Sequence, residues 1–568
     1  LLFIKMFSSV LAAALCMGSV VSSSDQHHSS GMSTVKINPQ THGFVDTAGR
    51  HRIFHGMNAV FKVAPWHPDT TGFDAQNSLS DIDAAQLNAW GFNIIRLGVM
   101  WPGVEPTKGA YNTTYLDEID TIVKHLEAKD IHVILDFHQD LFHREFCGEG
   151  VPDYVYDTCV ANEAADVPPF PLPAVNHTYP DDETGVPDLD SCLSVGFATY
   201  YLSAETGSAF QCLYDNKDDL WNSFGSYWQE IAKKFSKSSN VIGYELINEP
   251  WIGDVNAEPK RFLPGYAEKN SLQPMYQYLH DKIREIDDEK VIFFEPLTID
   301  YWPSGFETTP GGSAYDDRQA LAYHIYCPLH DPSVPSEAAC DLINTELFSM
   351  RLKDADRLGG GLVMTEFGAS KDITYDMYGL NYLCEKMDKY SQSWMYWQYK
   401  YYSDITTCTP EGEALYLNDG TVCQDKLKVL SRTYPMAIAG TVLSYEFQVE
   451  GLGTTKDTGL FEMSWMPWVA GTPSATDSPC PYPRTTTVYY NQELYYEHGV
   501  NVEVSTTSVD GEAVELPDGI EVNVQCKDNQ YINIVHSAVD ATTEVGSGLG
   551  DVVVSIKTTP CLLEHTCT

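Results

Sequence analysis

Eight short apolar runs, separated by longer amphipathic segments, constrain the fold of this 568-residue chain more than any other feature. Most of the runs are continuously apolar, which is typical of strands buried on both faces of a parallel sheet. They span residues 53–58, 92–97, 132–138, 241–249, 291–295, 321–326, 362–366 and 393–397. Helical spacing fills the intervals, as from Ser80 to Trp90, so residues 36–435 are predicted to form a (β/α)8 barrel.

Two other regions differ from this repeat. The interval at about residues 142–218 is long, is rich in Pro, Asp and Cys, and separates the third and fourth runs. Loops that follow barrel strands emerge at the carboxyl-terminal mouth, so this insertion is expected to wall or cover a site there. After residue 435, short β-rich runs alternate with turn signals such as Asp510-Gly511, which predicts an antiparallel β-sandwich over 436–568.

The N-terminus is typical of an exported protein. Lys5 precedes an apolar run at 6–21 and then serines, the layout of a secretory signal peptide, which we assign to residues 1–24. No later stretch is apolar over the ~20 residues that a membrane span requires. Asn112 and Asn176 begin glycosylation sequons. We therefore expect a secreted protein, located extracellularly or in a digestive or endolysosomal lumen.

The cysteines agree with export. Of fourteen, thirteen remain once the signal segment is removed, and none forms a CxxC pair with zinc spacing. This favours disulfides over metal binding, and the odd number leaves at least one free thiol. The short separations favour Cys327–Cys340 and Cys408–Cys423 as bridges, although the sequence does not determine the pairing.

The charge balance excludes some partners. The chain has 79 acidic and 35 basic residues, a formal net charge of −44. This excess repels phosphate backbones, so nucleic acid is not expected as a partner. Any contact with a lipid surface, through the barrel mouth or the sandwich, is expected to be apolar. We expect a monomer.

Two carboxylates stand where barrel enzymes carry their catalysts. Glu249 ends the fourth run and Glu366 ends the seventh, each at the carboxyl end of an apolar strand. Two facing carboxylates in a barrel mouth can hydrolyse a glycoside, one protonating the leaving oxygen and the other attacking the sugar. A lone Glu at a strand end is more often structural, but the pair favours catalysis.

Other strand ends carry residues that support such a pair. Arg96 ends the second run and would hold a carboxylate ionised. His324 and Tyr326 share one face of the sixth strand, and a phenol there can orient a nucleophilic carboxylate. His138 follows the third run, and Trp397 closes the eighth, where it could stack under a sugar ring.

These residues carry a family resemblance. Asn248-Glu249-Pro250, Arg96, His324-Ile325-Tyr326, Glu366-Phe367-Gly368 and Trp397 resemble glycoside hydrolase family 5, a retaining barrel family. Four further stretches, 58–62 (NAVFK), 138–142 (HQDLF), 264–269 (PGYAEK) with Leu272, and 432–440 (RTYPMAIAG), resemble the endoglycoceramidases of that family. The resemblance covers nearly the whole chain after the signal segment. It implies cleavage of the bond between the oligosaccharide and the ceramide of glycosphingolipids.

The resemblance also implies roles for individual residues. Glu249 is similar to the acid/base and Glu366 to the nucleophile, with Asn248 on the sugar 2-hydroxyl and Tyr326 and Arg96 supporting Glu366. The remaining matches are sugar contacts, at Lys62, His138, Asp140, Trp397 and, by a looser alignment on the insertion, Tyr214. No metal and no organic cofactor is expected.

Retention predicts carboxyl groups roughly 5 Å apart, whereas inversion requires roughly 9 Å. We expect the charge of Glu366 to raise the pKa of Glu249. A ceramide leaving group also requires an apolar trough, for which the candidates are Trp251, Ile252, Tyr301, Trp302, Phe306, Leu329 and Met364.

Three alternatives stay open at this point. One is a β-glucanase or other family 5 enzyme acting on a soluble polysaccharide. Another is a glucosylceramidase-like or galactosyl-specific relative that removes short glycans. The third is a glycolipid-binding protein that has lost catalysis.

Overall fold

The computed structural model describes most of the chain after residue 34. The described residues are 14–15, 32, 34–160, 187–194, 196–298, 301–327, 337–370, 376–404, 413–449, 452, 458–467, 484–508, 522–527, 530–536 and 552–561. Part of the insertion, the sequon at Asn176, Cys408 and the trough candidate Leu329 lie outside the described residues. So does the signal segment, apart from Ala14–Leu15.

The strands alternate with helices in the first two thirds of the chain. In chain order they are β1 (Ala14–Leu15), β2 (Val35–Asn38), β3 (Gly43–Asp46), β4 (His51–Arg52), β5 (His55–Ala59), β6 (Ile94–Gly98), β7 (His132–Asp136), β8 (Val241–Glu245), β9 (Val291–Phe294), β10 (Gln319–Ile325), β11 (Gly361–Gly368), β12 (Trp394–Trp397), β13 (Tyr434–Ile438), β14 (Gly440–Phe447), β15 (Phe461–Pro467), β16 (Arg484–Tyr489), β17 (Val500–Ser508), β18 (Val522–Lys527), β19 (Tyr531–His536) and β20 (Val552–Pro560).

The α-helices follow the same alternation. They are α1 (Asp81–Ala89), α2 (Trp101–Val104), α3 (Thr113–Glu127), α4 (Asp153–Val160), α5 (Leu189–Leu193), α6 (Phe197–Tyr200), α7 (Ala204–Tyr214), α8 (Leu220–Phe235), α9 (Gln273–Arg284), α10 (Glu337–Leu358), α11 (Asp376–Lys389), α12 (Gln424–Leu430) and α13 (Gln492–Tyr495). As expected, Ser80 precedes α1, and its backbone N–H donates to Asp83.

Strands β5 to β12 close into a barrel of eight parallel strands in sequence order. Each corresponds to one of the eight apolar runs, so the predicted barrel is confirmed. The interior residues of β5, β6, β7, β8 and β11 are almost wholly buried because helices cover the barrel outside and side chains fill it inside. All eight strands point their carboxyl ends at one mouth, which brings polar residues from distant parts of the chain together there.

An N-terminal hairpin covers the opposite end of the barrel. Ile37 of β2 and Phe44 of β3 belong to the same buried cluster as Phe54, Ile94 and Phe293 at the barrel floor. The hairpin continues through β4 into β13, since Arg52 pairs with Ala437. The predicted boundary at 435/436 therefore falls within a sheet that both parts of the chain build, and the domain limits themselves stay a prediction.

Two antiparallel sheets form the C-terminal part, as predicted. One has the order β18-β19-β16-β13-β4-β3-β2, and the other has β1-β17-β20-β15-β14. Arg432 joins this part to the barrel: its guanidinium donates to Asp388 of α11 at 2.7 and 3.0 Å and to the Phe447 carbonyl of β14 at 3.1 Å. All three residues are buried, so the ion pair ties α11 to the second sheet away from water.

Two disulfides cross-link the insertion internally. Cys147 pairs with Cys192, and Cys159 of α4 pairs with Cys212 of α7. Each bridge closes a loop of about fifty residues, and such cross-links typically stabilise a fold by ~2–4 kcal/mol. The expected Cys327–Cys340 bridge is present. The expected Cys408–Cys423 bridge is wrong, because Cys423 is a buried free thiol at the start of α12. A short separation in sequence does not establish that two sulfur atoms meet.

The helices of the described residues include no candidate membrane span. None of them combines the length and the apolar character that crossing a bilayer would require.

Candidate active site

Glu249 and Glu366 face each other in the barrel mouth. Their nearest carboxyl oxygens and a ring nitrogen of His324 all lie within 4.8 Å of one another. A separation near 5 Å suits a retaining glycosidase, whereas an inverting pair lies roughly 6.5–9.5 Å apart to hold a water molecule. Both carboxylates are almost enclosed, with side chains 17% and 6% exposed. The spacing is the one expected for attack by one carboxylate while the other moves a proton.

Arg96 is the central cation beneath this pair. Its guanidinium donates to Glu366 Oε1 at 2.5 Å, to Glu245 Oε2 at 2.5 Å and to Asn248 Oδ1 at 2.8 Å. The side chain is wholly buried, so these charge-assisted bonds form out of water, where they are stronger. Arg96 therefore fixes one oxygen of Glu366 and the amide of Asn248 in a single rigid frame.

The sixth barrel strand supplies the other contacts of the pair. Tyr326 Oη donates to Glu366 Oε2 at 2.9 Å, and His324 Nδ1 lies 2.8 Å from Glu249 Oε1. Burial lowers the pKa of His324 to about 4, so its ring is neutral at neutral pH. Both oxygens of Glu366 are thus occupied, by Arg96 and by Tyr326, which orients the carboxylate for attack at a fixed point.

The backbone of Glu249 adopts an uncommon conformation. Its φ is +39°, in the left-handed region that side-chain-bearing residues rarely enter. Two neighbours hold it there: the Glu249 N–H donates to Glu295 Oε2 at 3.2 Å, and Gln139 Nε2 donates to the Glu249 carbonyl at 2.9 Å. Strain of this kind persists where the surroundings determine it and is concentrated at functional sites.

The surroundings of Glu249 and Glu366 affect the pKa values of the two carboxyl groups differently. Burial raises the pKa of Glu249 to about 7, and the negative charge of Asp140 adds to the increase. The expectation that Glu366 would be the cause is therefore wrong, because desolvation is the larger effect and Asp140 is the leading charge. Burial also raises the pKa of Glu366, while His324 and Arg96 oppose that rise. Glu249 is thus suited to carrying a proton near neutral pH.

A second polar cluster lies beside the pair. Lys62 Nζ contacts Asp140 Oδ2 at 2.5 Å and Glu149 Oε1 at 3.4 Å, and it lies 4.7 Å from the ring centroid of Trp397. His138 stacks on Trp397 with centroids 5.1 Å apart. Although burial opposes it, hydrogen bonds to Asp136 and Asp140 raise the pKa of His138 to about 10. The four residues that the family resemblance assigned to the first sugar, Lys62, His138, Asp140 and Trp397, therefore lie together in one cluster.

Asn248 is held from both sides. Its oxygen accepts from Arg96, and its Nδ2 donates to the Gln139 carbonyl at 3.0 Å. A primary amide has a second hydrogen on its nitrogen, which could serve a sugar hydroxyl. The contact with the 2-hydroxyl stays a prediction.

Tyr214 is in a different position from the other predicted sugar contacts. It is 4% exposed, and its hydroxyl donates to the Trp251 carbonyl at 2.6 Å. Tyr214 therefore supports the backbone of the segment that comes after Glu249. A direct contact between Tyr214 and a sugar stays a prediction. Tyr201, also on the insertion, packs on the Trp251 ring at 4.9 Å and lies within the electrostatic influence of Asp140 and Glu249.

Three of the seven trough candidates belong to the core instead. Ile252, Phe306 and Met364 are at most 2% exposed and lie in the main hydrophobic cluster. Their apolar character therefore contributes to stability and not to a surface. Tyr301 is exposed, and Trp251 lines a groove with Leu202, Val255 and Phe262.

Several site residues were missed from the sequence. Asp136, Glu245 and Glu295 are buried carboxyls that surround Arg96. Gln139 clamps the Asn248–Glu249 backbone, and Glu149 reaches Lys62 from the insertion. A charged residue within or directly after an apolar strand was the available signal for Asp136, Glu245 and Glu295. Nothing local marks Glu149, since its role depends on how the insertion folds back.

Comparison with known proteins agrees with this geometry. Residues 52–403 match the family model described as cellulase (glycosyl hydrolase family 5), and residues 432–543 match the glycoside hydrolase family 5 C-terminal domain. An endoglycoceramidase of Cyanea nozakii is 36% identical over 83% of this chain and 87% of its own length. One of Hydra vulgaris is 37% identical over 83% of each chain.

The fold has solved counterparts. The endo-glycoceramidase II from Rhodococcus sp., solved in complex with ganglioside GM3, superposes with a TM-score of 0.64 and 20% identity, covering 91% of this chain and 99% of the other. At that identity the likeness concerns the fold. The family matches, with which the two facing carboxylates agree, lead to one conclusion: the chain is a glycoside hydrolase that belongs to family 5 and, within it, to the endoglycoceramidases.

Proposed function

We propose that this enzyme hydrolyses the β-glycosidic bond between the oligosaccharide and the ceramide of glycosphingolipids, with retention of configuration. The observation that carries the proposal is the extent of the similarity to the endoglycoceramidases of Cyanea nozakii and Hydra vulgaris, 36–37% identity over 83% of the chain. The separation of at most 4.8 Å between the nearest oxygens of Glu249 and Glu366 supports retention.

The proposed reaction is a double displacement. Glu249, whose pKa near 7 keeps it protonated in mildly acidic solution, donates its proton to the oxygen that joins sugar and ceramide. Glu366, oriented by Arg96 and Tyr326, attacks the anomeric carbon and forms a glycosyl ester as ceramide leaves. The ionised Glu249 then removes a proton from water, which displaces Glu366 and releases the glycan.

A small groove near Glu249, with an empty volume of about 270 Å³, offers apolar side chains where the ceramide would begin. It begins at Trp251, two residues after Glu249, and is lined by Leu202, Val255 and Phe262. Leu202 and Phe262 are 38% and 45% exposed, and Leu263, next in sequence, is 59% exposed. The acid/base lies on the leaving-group side of the scissile bond, so ceramide should leave toward this groove. The exposed rim supports an apolar contact between the barrel mouth and a lipid surface.

Charge on this rim should separate action on lipid from action on soluble substrates. The double variant Phe262→Asp/Leu263→Asp is expected to lower the hydrolysis of glycolipid in neutral vesicles by about tenfold or more relative to a soluble aryl β-lactoside, because each apolar side chain contributes ~1.5–3 kcal/mol on burial. The measurement is the ratio of the two rates, with vesicle flotation as a binding assay. Since the contact is apolar, raising the salt concentration should leave binding unchanged.

The matched control is Leu443→Asp on β14, where the leucine is 46% exposed in the C-terminal sheets. An unchanged ratio in the rim variant together with a lowered ratio in Leu443→Asp would move the lipid contact to the sandwich. No change in either variant would remove the lipid contact from the proposal.

The substrate class is tested directly with purified protein in detergent at mildly acidic pH. Incubation with a ganglioside should release free ceramide and an intact oligosaccharide, identified by mass spectrometry, and a soluble β-glucan should stay uncut. Glucan fragments with untouched ganglioside would keep the family and overturn the substrate class. Binding of ganglioside without turnover would favour a protein that has lost catalysis.

We also propose that the protein acts outside the cytosol. The three disulfides of the described residues support this, because such bonds persist in oxidising compartments. Asn112 is exposed at the start of α3, and its side-chain oxygen accepts from the Tyr115 N–H, which leaves the amide nitrogen facing outward for a glycan.

A further inference from the structure

A second cavity opens at the mouth, on the far side of Lys62 from the catalytic pair. We call it the Trp66 cavity; its empty volume, including the part open to solvent, is about 590 Å³. Trp66, Pro102 and Pro106 form an apolar rim, and the polar side chains are those of His143, Arg144, Glu149 and Asp153. The loops after β5, β6 and β7 build it, so it lies at the functional end of the barrel.

Two contacts join this cavity to the Lys62 cluster. Glu149 lines the cavity and also reaches Lys62 Nζ at 3.4 Å. Trp66 lines the cavity and also packs against the small apolar cluster that contains Trp397. A ligand that rests on Lys62 and Trp397 would therefore enter the Trp66 cavity as it extends away from Glu366.

The cavity wall contains a polar group without a hydrogen bond. Among the residues that the structure describes, the buried Nε of Arg144 has no hydrogen-bond partner. Glu149, whose side chain is only 1% exposed, is ion-paired with Lys62 and links the cavity wall to the Lys62 cluster. Buried polar groups are nearly always satisfied, and each exception has a cost of about 1–3 kcal/mol. A ligand that offers an acceptor would satisfy Arg144.

The local backbone is built to hold Glu149 at this point. Glu149 exchanges backbone hydrogen bonds with Asp140, at 2.8 and 2.9 Å. Gly148 and Gly150 flank it, and a Cβ on Gly148 would lie 2.0 Å from the Asp140 carbonyl oxygen. Cys147, bridged to Cys192, anchors the same turn to the insertion. The position of Glu149 is thus determined by the fold.

We propose that the Trp66 cavity binds an uncharged sugar ring of the glycan beyond the first one, with the ring face on Trp66 and a hydroxyl oxygen on Arg144. This inference rests on the proposed function, since it assumes that a glycan lies on Lys62 and Trp397. The direction follows from the chemistry: ceramide leaves on the side of Glu249, so the glycan continues on the opposite side. Sugar hydroxyls both donate and accept, and pyranose faces stack on indole rings.

The charges of the cavity favour a neutral ring over an acidic one. The single cation, among the described lining residues, is Arg144, and Asp153 neutralises it at 3.0 Å. His143 is also paired with Asp153, at 3.2 Å, and burial lowers its pKa. Burial likewise raises the pKa of Glu149 well above its usual range.

The test compares substrates of different glycan length in detergent micelles. The kcat/KM values for a neutral tetraosylceramide and for glucosylceramide are measured in the wild type, Trp66→Ala, Trp66→Phe and Arg144→Leu. The ratio of the two values should fall about tenfold or more in Trp66→Ala, chiefly through KM, and less in Arg144→Leu. Trp66→Phe should restore most of it, since a smaller ring still stacks. The aromatic control Tyr390→Ala, 42% exposed at the end of α11, should keep the wild-type ratio.

An equal loss on both substrates in Trp66→Ala, or an unchanged ratio in Trp66→Ala and Arg144→Leu, would overturn the proposed subsite. A second experiment measures binding without turnover, so a loss of activity through misfolding cannot mimic its result. Glu366→Gln protein is titrated with the free neutral tetrasaccharide by calorimetry. The double variant Glu366→Gln/Arg144→Leu should bind the tetrasaccharide more weakly. Unchanged affinity there would also overturn it. Wild-type protein that cleaves no glycosylceramide would instead overturn the proposed function. In that case the titration alone would show whether the Trp66 cavity binds the tetrasaccharide.

Discussion

Glu366→Gln is expected to lower kcat/KM on any β-glycoside substrate of this enzyme by about 10⁴-fold or more, since it removes the atom that would form the covalent intermediate. Glutamine keeps the size of the side chain, and its one carbonyl oxygen can still accept from Arg96 while its amide NH2 donates to the Tyr326 hydroxyl, so the fold should be retained. The loss is measured with glycosylceramide in detergent and with a soluble aryl β-lactoside, and it should be the same on both.

A covalent label identifies the nucleophile independently of rate. Wild-type protein treated with a 2-deoxy-2-fluoro-β-glycoside bearing an activated leaving group should carry one added sugar on the peptide that contains Glu366, and Glu366→Gln should carry none. Glu268→Gln is the matched control, because Glu268 is also buried and its pKa is likewise raised by burial to about 7. Labelling of a different residue, or a similar loss in the control, would contradict the assignment.

Glu249→Gln is expected to slow the hydrolysis of substrates with poor leaving groups much more than that of substrates with activated leaving groups. Ceramide is a poor leaving group that requires a proton, so its release should slow by about 10²–10⁴-fold, the usual worth of general acid catalysis. A dinitrophenyl β-lactoside requires no proton, so its first step should survive and the glycosyl-enzyme should accumulate as a burst. Azide should then restore turnover and give a β-glycosyl azide. Equal losses on both substrates and no rescue would exclude Glu249 as the acid/base.

The pH dependence follows from the same residue. The first step requires protonated Glu249, whose pKa is about 7, so kcat/KM for the ceramide substrate should fall as the pH rises through about 7. It should also fall in acid, where Glu366 gains a proton and loses its nucleophilicity. In Glu249→Gln the alkaline limb should disappear for the activated aryl substrate while the acid limb stays. An alkaline limb near 7 that persists in the variant would belong to another group.

Much of the fold was predictable from local pattern. All eight barrel strands correspond to apolar runs, because a strand buried on both faces must be apolar along its length. The positions of Glu249, Glu366, His324 and Tyr326 followed from the same pattern, since parallel strands bring their carboxyl ends to one mouth. Arg96 was placed beside Glu366 for this reason, and it does donate to it.

Other features could not be predicted because they depend on contacts between distant segments. Cys423 was paired by its separation from Cys408, yet it is buried as a free thiol. Apolar character does not distinguish a trough from a core, and Phe306 and Met364 lie in the core. Glu149 lies on the insertion, and only the folded turn that Cys147 anchors brings it to Lys62.

The sequence alone therefore determined the barrel, the paired carboxylates and the reaction class, since residue order sets strand periodicity and every strand end meets the same mouth. Only the tertiary structure decided the proton affinities and the binding surfaces. Burial and the charge of Asp140 raise the pKa of Glu249, and the joining of separate loops exposes Phe262 and leaves Arg144 Nε unsatisfied. Desolvation and long-range pairing depend on which segments pack together, and no local pattern encodes that.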